Sequence, residues 1–467
     1  MTIGGGVPVG ALRDRVEAGF RAAVADLVKL VEIPGIAWPA FDPAHLDHSA
    51  EAVAGLLRDA GVSNVRIVRG AGQNGKPGGP AVLARKPAAA GQPTVLLYAH
   101  HDVQPPGDPE QWSAPAFTAV ERDGRLWGRG VADDKAGIIM HLAAYRALTD
   151  MLGAGFGLGV TFFIEGEEES GSPTLDGLLN VHEEQLRADV VIVADSANWQ
   201  VGVPALTTSL RGLVDGLIEV EAFDHGLHSG TFGGPVLDAV TLLARLIATF
   251  HDGDGAVTIR GLPAVKNPAA PEADIDEKEF RAQASLPNAL QLAGTGSIAW
   301  RLWNGPALSI IGLDVPGTAV ASNTLLPSAR AKFSLRLAPG TDPDKAMEAV
   351  RRHVLANAPF GAEVRFVPGS ASAPFSASPH DQASRTALWA MEQAWGVAPV
   401  RMGVGGSIPV VEHLAGRFPE ATILITGAED PDSRAHGPDE SVHLGDLQNG
   451  ILAEALLLAA LGNKRRG

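Results

Sequence analysis

Apolar residues follow one another without polar interruption in several short runs of the chain. We interpret four of these runs as buried strands, at 95–99, 160–164, 190–194 and 422–426. Between them, apolar residues recur every three or four positions, as in an amphipathic helix. Buried strands that alternate with helices are typical of a mostly parallel sheet with helices on both faces. The pattern therefore predicts an α/β fold for this part of the chain.

The pattern changes after residue 210. Residues 213–223 alternate in part between apolar and polar positions, as a half-exposed strand does. From there the order is strand, helix, strand, strand, helix, strand, which matches a ferredoxin-like α+β unit. We predict that this unit, at 211–377, is inserted into an α/β catalytic domain that comprises 1–210 and 378–467. A chain of 467 residues is too long for one ordinary core, which agrees with two domains.

Two glycine-rich stretches, at 70–77 and 401–407, are predicted as loops. The first imitates a phosphate-binding loop, but Pro77 follows Lys76 where a nucleotide site needs Ser or Thr to hold Mg²⁺. We therefore predict a hairpin loop there. The last apolar run contains Glu454 and is too short to span a bilayer, so we expect a buried C-terminal helix.

Imidazole and carboxylate side chains gather where the predicted strands end. The first buried run is followed by His100, His101 and Asp102, the second by three glutamates, the third by Asp195, and the last by a loop with His436. Strands of an open α/β sheet end at the edge where ligands bind. Nitrogen and carboxylate oxygen are ligands of zinc and related cations. Because the chain has no cysteine, we predict a metal site made of His, Asp and Glu.

The net charge of the chain argues against some classes of binding partner. The 53 acidic residues outnumber the 37 basic ones, for a formal net charge of −16. This balance argues against nucleic acid and against an anionic membrane as partners. The first ten residues are glycine-rich and lack the basic and apolar segments of a secretion signal. We therefore expect a cytoplasmic protein with no nucleic-acid or membrane partner.

The motifs together resemble those of the dinuclear zinc metallopeptidases that include carnosine dipeptidases, glutamate carboxypeptidase, aminoacylase and succinyl-diaminopimelate desuccinylase. The resemblance spans nearly the whole chain, and the dipeptidase branch is the most similar. It implies a zinc-peptidase-like catalytic domain and an inserted lid and dimerisation domain. It also implies two divalent ions per chain, Zn²⁺ with Mn²⁺ or Co²⁺ as alternatives.

The resemblance implies five metal ligands. The stretch His100–Pro105 is similar to the family's His-x-Asp-Val-x-Pro, in which His101 occupies a variable position. The implied ligands are His100 and Asp195 for the first ion, Asp133 as the bridge, and Glu169 and His436 for the second ion. His436 is preferred over His443 because Gly-Pro-Asp-Glu follows it. In the family the peptide bond after the bridging aspartate is cis.

Catalytic roles follow from the same resemblance. Glu168 is implied as the general base that activates a metal-bridging water, and Asp102 as a residue that orients a ligand. His228 resembles a histidine that crosses a dimer interface to stabilise the oxyanion, so we expect a homodimer through the inserted domain. Glu167 lies where the family varies, and we expect a solvated carboxylate there.

The implied reaction is hydrolysis of a peptide bond in dipeptides or small peptides with a free C-terminal carboxylate. Arg336, Gly406 and Ser407 are similar to the residues that bind this carboxylate. Some dipeptidases of the family carry an acidic residue just before Gly-Gly-Ser to hold a free amino terminus, and here Val404 stands there. An amidohydrolase that acts on N-acyl amino acids is therefore the alternative. A non-catalytic binding protein of this fold would have lost a ligand or the base, and the sequence has lost none.

Overall fold

A computed structural model describes residues 8–72, 75–153, 156–262, 273–378 and 381–462. The chain forms two compact units. Unit 1 comprises the described residues up to Thr208, Ala377–Met402 and those from Pro409 onward, and unit 2 comprises Ser209–Ser376 and Gly403–Ile408. Residues 1–7, on which the expectation of no secretion signal partly rests, lie outside the described residues.

The elements are numbered in chain order. The helices are α1 (Val9–Val31), α2 (Pro43–Asp59), α3 (Lys135–Leu152), α4 (Leu175–Leu186), α5 (Ser229–Phe232), α6 (Ala239–Ile247), α7 (Glu277–Gln283), α8 (Ile298–Trp303), α9 (Pro343–Ala356), α10 (Gln382–Trp395), α11 (Pro409–Arg417) and α12 (Leu444–Leu461). The strands are β1 (Arg66–Ala71), β2 (Pro77–Lys86), β3 (Thr94–His100), β4 (Val120–Arg122), β5 (Arg125–Trp127), β6 (Gly159–Glu165), β7 (Val190–Val193), β8 (Ala205–Leu210), β9 (Gly212–Glu221), β10 (Leu227–His228), β11 (Ala307–Asp314), β12 (Thr324–Leu325), β13 (Ser328–Leu337), β14 (Glu363–Ser372), β15 (Phe375–Ser376), β16 (Val400–Val404), β17 (Thr422–Ile425) and β18 (Ser441–His443).

Unit 1 is built on a sheet in the order β1-β2-β6-β3-β7-β17-β8. The four central strands are parallel, and the strands on either side of them are antiparallel to their neighbours. Every residue of β6 and β7 is buried. Because successive side chains of a strand point to opposite faces, both faces of the sheet are covered. The predicted α/β class with a mostly parallel sheet is confirmed.

Close packing at the ends of these strands brings their polar residues together. His100 is the last residue of β3 and pairs with Glu165, the last residue of β6. Helix α3 begins directly against the end of β7, where a Cβ on Gly137 would lie 2.7 Å from the Ala194 carbonyl oxygen. Glycine thus permits the first turn of α3, which follows Asp133, to approach the end of β7.

Helix α12 is the core helix that the sequence predicts. It is the one helix in the described part of the chain that is long and apolar enough to cross a membrane, but 78% of its 18-residue window is buried. It packs against α3 and α10. Its Glu454 is also buried, with Oε1 lying 2.8 Å from His141 Nδ1 of α3. This burial accounts for its apolar composition without a membrane.

Unit 2 contains a four-stranded antiparallel sheet in the order β11-β13-β9-β14. Helix α6 follows β9 and helix α9 follows β13, so the chain order is the one predicted from the sequence. Both helices pack against β9, and they enclose a core with Leu243, Phe333 and Val350 fully buried. Strand order and connections together are those of a ferredoxin-like fold.

Three details differ from the prediction. Strand β8 was missed, because its Thr-Thr-Ser centre interrupts the apolar pattern. The predicted loop 401–407 begins as part of β16, which pairs with β8. Gly403–Ile408, which contains Gly406 and Ser407, groups with unit 2 and not with the C-terminal catalytic segment. It is held there by Arg211, whose Nε donates to the Gly405 carbonyl oxygen at 3.0 Å.

The glycine-rich loop near residue 75 is a hairpin connection, as expected. Strands β1 and β2 pair antiparallel on its two sides, with Ala71 opposite Pro77. Residues 73 and 74 of this loop lie outside the described residues. An antiparallel strand after the loop, in place of a helix, does not provide the helix N-terminus on which a phosphate-binding loop depends.

Candidate metal centre

Three candidate ligands meet around Asp133. Its Oδ1 lies 3.1 Å from His100 Nε2, and its Oδ2 lies 3.0 Å from His436 Nε2. The same nitrogen of His436 lies 3.3 Å from Glu169 Oε2. The two oxygens of one carboxylate therefore face two different histidines, which is the arrangement that a bridging ligand needs.

The potential ligand atoms form two main groups, in each of which all atoms lie within 4.8 Å of one another. One group contains His100, Glu168 and Asp195, and the other contains Asp133, Glu169 and His436. In a tetrahedral site with bonds of about 2.0–2.1 Å, neighbouring ligand atoms lie about 3.3 Å apart. The separations of 3.0–3.3 Å around Asp133 match such edges. The donors therefore fit a pair of divalent ions.

A buried carboxylate, Glu440, holds the loop that carries Asp133. Glu440 Oε1 accepts hydrogen bonds from the backbone N–H groups of Ala132 at 2.9 Å and Asp133 at 3.1 Å. Its Oε2 accepts from the Gly130 N–H at 3.0 Å and from Arg129 Nη1 at 2.7 Å. Every one of these bonds restrains the chain within four residues of the candidate bridging ligand.

Sequence reasoning missed this clamp and a second one at Asp134. The Asp133–Asp134 peptide bond is cis, as the resemblance implies, and Asp134 Oδ2 accepts a hydrogen bond from the His100 N–H at 3.1 Å. The available signal for Glu440 was its place in the Gly-Pro-Asp-Glu stretch after His436. For Asp134 it was the doubled aspartate itself.

Asp102 lies fully buried behind the candidate ligands. Its two carboxylate oxygens accept hydrogen bonds from the backbone N–H groups of Glu168 at 3.2 Å and Glu169 at 3.1 Å. Its Oδ1 also lies 3.4 Å from His100 Nδ1. Gln104, which the sequence did not single out, donates from Nε2 to Glu169 Oε2 at 2.7 Å. Asp102 thus contacts both the histidine and the turn with the two glutamates.

Burial shifts the carboxyl groups of the first cluster toward their neutral forms. It raises the pKa of Asp195 to about 7. Burial also raises the pKa of Glu168 well above its usual value, and the charge of Asp195 adds to this effect. Positive charge placed in this cluster would favour the ionised forms of both groups.

The two candidate ligand histidines favour their charged forms, because carboxylates surround them. Hydrogen bonding to Asp133 and Glu169 raises the pKa of His436 to about 11. Burial disfavours the charged form of His100, but the neighbouring Asp102 and Asp133 carboxylates outweigh burial and raise its pKa. Carboxylates that stabilise a proton on these rings would equally stabilise a divalent cation in its place.

Two other histidines are engaged elsewhere. His101 Nε2 lies 2.8 Å from the Pro80 carbonyl oxygen, and burial lowers the pKa of His101 to about 4, which keeps the ring neutral. His443 Nδ1 accepts a hydrogen bond from the Asp446 N–H at 3.2 Å and caps helix α12. Neither histidine belongs to the ligand groups found among the described residues.

Glu167 is not the solvated carboxylate that the sequence suggested. It is half-buried, and its Oε1 accepts a hydrogen bond from the Gly79 N–H at 2.6 Å. Its Oε2 accepts another from the Thr174 hydroxyl at 2.5 Å. Residues 78 and 79 of β2 are glycines, and a Cβ atom at either position would lie within 3 Å of this side chain. Glu167 therefore joins β2 to the turn that carries Glu168.

Unit 2 contains Arg336 and a second arginine that sequence reasoning missed. Burial lowers the pKa of Arg336. Burial, and then the charge of Arg336, lowers the pKa of Arg211 to about 10, so the two guanidinium groups repel each other. Arg211 donates to the carbonyl oxygens of Gly405 at 3.0 Å and Gly305 at 3.4 Å. A buried and a half-buried cation that repel each other favour an anion between them.

His228, also in unit 2, is exposed at the end of the two-stranded ribbon formed by β10 and β12. Its Nδ1 accepts a hydrogen bond from the Gly230 N–H at 3.0 Å. That bond fixes the ring and directs the proton of a neutral imidazole to Nε2. The second nitrogen is therefore a hydrogen-bond donor at the surface of a single chain.

Comparison of the sequence with known proteins gives a consistent group of relatives. A family model described as peptidase family M20/M25/M40 matches residues 96–460. The cysteinylglycine-S-conjugate dipeptidase of Corynebacterium striatum is 35% identical over 386 residues, which are 82% of this chain and 84% of that protein. The Beta-Ala-His dipeptidase of Homo sapiens is 28% identical over 387 residues, which are 78% of this chain and 74% of that protein.

Comparison of the structure agrees with this result. The dipeptidase Dug1p from Saccharomyces cerevisiae superposes with a TM-score of 0.80 at 22% identity, covering 98% of this chain and 99% of that one. Human carnosine dipeptidase 1 superposes with a TM-score of 0.78 at 22% identity, covering 97% of this chain and 98% of that one. At this level of identity, the likeness concerns the fold.

Proposed function

Since this chain belongs to peptidase family M20/M25/M40, we propose that it hydrolyses dipeptides with a free C-terminal carboxylate, with the help of two divalent ions. The chain is a metal-dependent hydrolase, and the relatives compared above are dipeptidases. The observation that carries the proposal is the sharing of Asp133, whose two oxygens each face a different histidine.

We assign the ligands as the resemblance to the family implies them. His100 and Asp195 would hold one ion, Glu169 and His436 the other, and Asp133 would lie between them. Zinc is the proposed metal because it accepts nitrogen and carboxylate ligands in four-coordinate sites, and Mn²⁺ or Co²⁺ would use the same donors. When bound, two such ions lower the pKa of a water molecule and polarise a peptide carbonyl.

Glu168 would accept the proton that this water loses. It belongs to the same group of atoms as His100 and Asp195, and its backbone is fixed by the hydrogen bond to Asp102 at 3.2 Å. In the metal-free chain, burial and then the charge of Asp195 raise its pKa. Two divalent ions beside it would lower this pKa again and favour the ionised carboxylate that can accept a proton. It would then deliver that proton to the leaving amine, which must be protonated before it departs.

Arg336 would bind the substrate carboxylate together with Arg211, Gly406 and Ser407, which belong to the same unit. A guanidinium group binds a carboxylate through two parallel hydrogen bonds. The repulsion between Arg211 and Arg336 would be relieved by an anion, which supports this assignment. The hydroxyl of Ser407 and the backbone of Gly406 would supply further donors.

We also propose a homodimer through unit 2, in which His228 donates a hydrogen bond to the oxyanion in the partner's site. The support is the exposed Nε2 and the resemblance of the Leu-His-Ser-Gly motif. Size-exclusion chromatography with light scattering would test the dimer. We propose a cytoplasmic location for this activity, which cell fractionation would test.

The deciding experiment is a panel of unblocked dipeptides and their N-acylated counterparts, assayed with the zinc-loaded protein while metal content is measured. We expect two ions per chain and cleavage of the unblocked dipeptides. Glu168→Gln should retain both ions and lose about 10²–10⁴-fold in turnover. Glu420→Gln, which makes the same change at an exposed position, serves as the matched control. Full activity of Glu168→Gln would refute its role. Cleavage of the N-acyl compounds alone would establish the amidohydrolase that Val404 suggests.

A further inference from the structure

A third group of carboxylates includes one residue that has no role in the reaction described so far. An oxygen of Glu429 lies with oxygens of Asp133 and Asp195 in a set whose atoms are all within 4.8 Å of one another. Glu429 is half-buried, so its side chain is still accessible to a ligand. Within the described part of the chain, no backbone or side-chain donor hydrogen-bonds to its carboxylate.

The backbone fixes this carboxylate beside the metal ligands. Ala197 and Glu429 form a parallel β-bridge, and the Asn198 N–H donates to the Glu429 carbonyl oxygen at 2.7 Å. A Cβ on Gly427 would overlap the backbone of the segment that follows Asp195. The two segments are therefore in direct contact, and the neighbouring positions of the two carboxylates are a product of the fold.

The cations on the neighbouring elements are committed to other partners. Arg125 pairs with Asp430 at 2.9 Å, and Arg129 pairs with Glu440 at 2.7 Å. The ammonium group of Lys135 donates to two backbone carbonyl oxygens near the end of α1. None of these three cations therefore pairs with Glu429, and the positive charge that acts on it in the metal-free chain is that of the candidate ligand His436.

Charge balance shows what kind of partner would fit. Two divalent ions would lie among the carboxylates of Asp133, Glu168, Glu169 and Asp195. Each ion already has three protein ligands in the assignment above, which leaves the open position that a catalytic ion needs. Burial and then the charges of Asp133 and Asp195 raise the pKa of Glu429, so its charged form lacks compensation beside a site whose ligands are complete. A singly charged cation bound there would stabilise that charged form.

We propose that Glu429 binds the free α-ammonium group of the dipeptide substrate, an assignment that rests on the proposed function. The α-nitrogen is two bonds from the scissile carbonyl carbon. A group that binds it must therefore lie close to the ligands of the ions that polarise this carbonyl, as Glu429 does. The chain has Val404 where some relatives carry an acidic residue for this purpose, and Glu429 provides the carboxylate from the loop after β17.

Binding of a non-cleavable phosphinic dipeptide analogue tests this role without turnover. Calorimetry would compare the analogue with a free amine and the same analogue N-acetylated, on zinc-loaded wild type and Glu429→Gln, with metal content measured in parallel. Loss of one partner of a buried charge pair is expected to weaken binding of the free amine by roughly 10²-fold or more. Binding of the acetylated analogue should not change. Glu420→Gln removes the same charge from an exposed position shortly before β17 and should behave as wild type.

The other outcomes refute the assignment. An equal loss for both analogues would mean that Glu429 does not recognise the amine. Loss of one ion per chain in Glu429→Gln, together with weaker binding of both analogues, would identify Glu429 as a metal ligand instead. If wild type binds the free-amine analogue but cleaves no dipeptide, the proposed function fails, and the role of Glu429 is still decided by the binding data. If wild type binds only the acetylated analogue, the assignment is wrong.

Discussion

Replacing Glu440 by glutamine would test how far the Asp133 loop determines metal binding. The carboxylate accepts hydrogen bonds from three backbone N–H groups at 2.9–3.1 Å and from Arg129 at 2.7 Å. Glutamine has the same shape but only one acceptor oxygen. Whichever way its amide turns, the NH₂ group must face N–H donors that the carboxylate now satisfies.

The size of the effect follows from burial. Arg129 is 1% exposed, and apart from Glu440 it contacts the His436 carbonyl oxygen at 3.1 Å and the ring of Trp112, whose centroid lies 5.2 Å from the guanidinium carbon. Removing one partner of a buried ion pair costs about 3–5 kcal/mol, and an unsatisfied buried N–H adds about 1–3 kcal/mol. Substitution of a residue that orients a metal ligand typically weakens metal affinity about 10–100-fold. We expect Glu440→Gln to lose at least about 3 kcal/mol of stability and to bind zinc about 10–100-fold more weakly.

Two measurements separate these effects. Urea unfolding of the metal-free protein reports stability, and competition with a chelating dye reports zinc affinity. Glu454→Gln is the matched control, because it disrupts the buried contact with His141 at 2.8 Å on helices α12 and α3, apart from the Asp133 loop. It should lower stability without changing zinc affinity. Wild-type zinc affinity in Glu440→Gln, or an equal loss in both variants, would refute the clamp.

Three further predictions concern protons, the oxyanion and the substrate carboxylate. Metal uptake should release protons at pH 7, because an ion displaces the proton that His436 holds with a pKa of about 11. The affinity for the metal ions should also rise from pH 5 to 7, because Asp195, with a pKa of about 7, ionises over this range. Calorimetry in buffers of different ionisation enthalpy would detect this release, and its absence contradicts the assignment. His228→Ala should cut turnover about 10²–10³-fold with metal content intact. His225→Ala, in the same exposed loop, should leave turnover unchanged. Equal turnover in the two variants would exclude the oxyanion role of His228. Arg336→Lys should raise KM about tenfold or more, because lysine keeps the charge but loses the bidentate fork, and an unchanged KM would place the carboxylate elsewhere.

The same pKa of Asp195 predicts how the metal-free protein depends on pH. Its folded pKa of about 7 exceeds the usual value of 3.8 because of burial. A raised pKa means that the folded state binds the proton more tightly than the unfolded state. The stability that this group contributes is therefore fully present below about pH 4 and is lost as the pH rises through 7. Unfolding midpoints of the chelated protein between pH 5 and 8 would test this dependence, and a midpoint that rises with pH would contradict it.

The sequence predicts the site residues that lie at or just after the ends of buried strands. His100, Glu168 and Asp195 each follow an apolar run that is buried in the structure, so their meeting follows from a parallel sheet whose strands end at one edge. The Glu440 clamp could not be found this way. It contacts the Asp133 loop across 307 residues of sequence, and periodicity within a segment carries no information about such a pairing.

Short elements were missed for a related reason. Strand β8 has three polar residues at its centre, and its place in the sheet depends on pairing with β17 and β16, which lie about two hundred positions later. Arg211 follows this strand, so its hydrogen bond to Gly405 was equally invisible. Glu429 lies in an Ala-Glu-Asp-Pro stretch that has the composition of a solvated loop. What places it beside Asp195 is the β-bridge to Ala197.

The choice between a dipeptidase and an N-acyl amidohydrolase therefore depends on charge at the amino end of the substrate. Both reactions would use the same ligands and the same base, and both substrates would present the same carboxylate to Arg336. An N-acyl substrate offers no cation, so it would enclose the carboxylate of Glu429 beside Asp195 with nothing to offset its desolvation. A dipeptide supplies the missing positive charge as it binds. Val404 removes one means of recognising that charge, and the position of Glu429 provides another, which favours the dipeptide as the substrate.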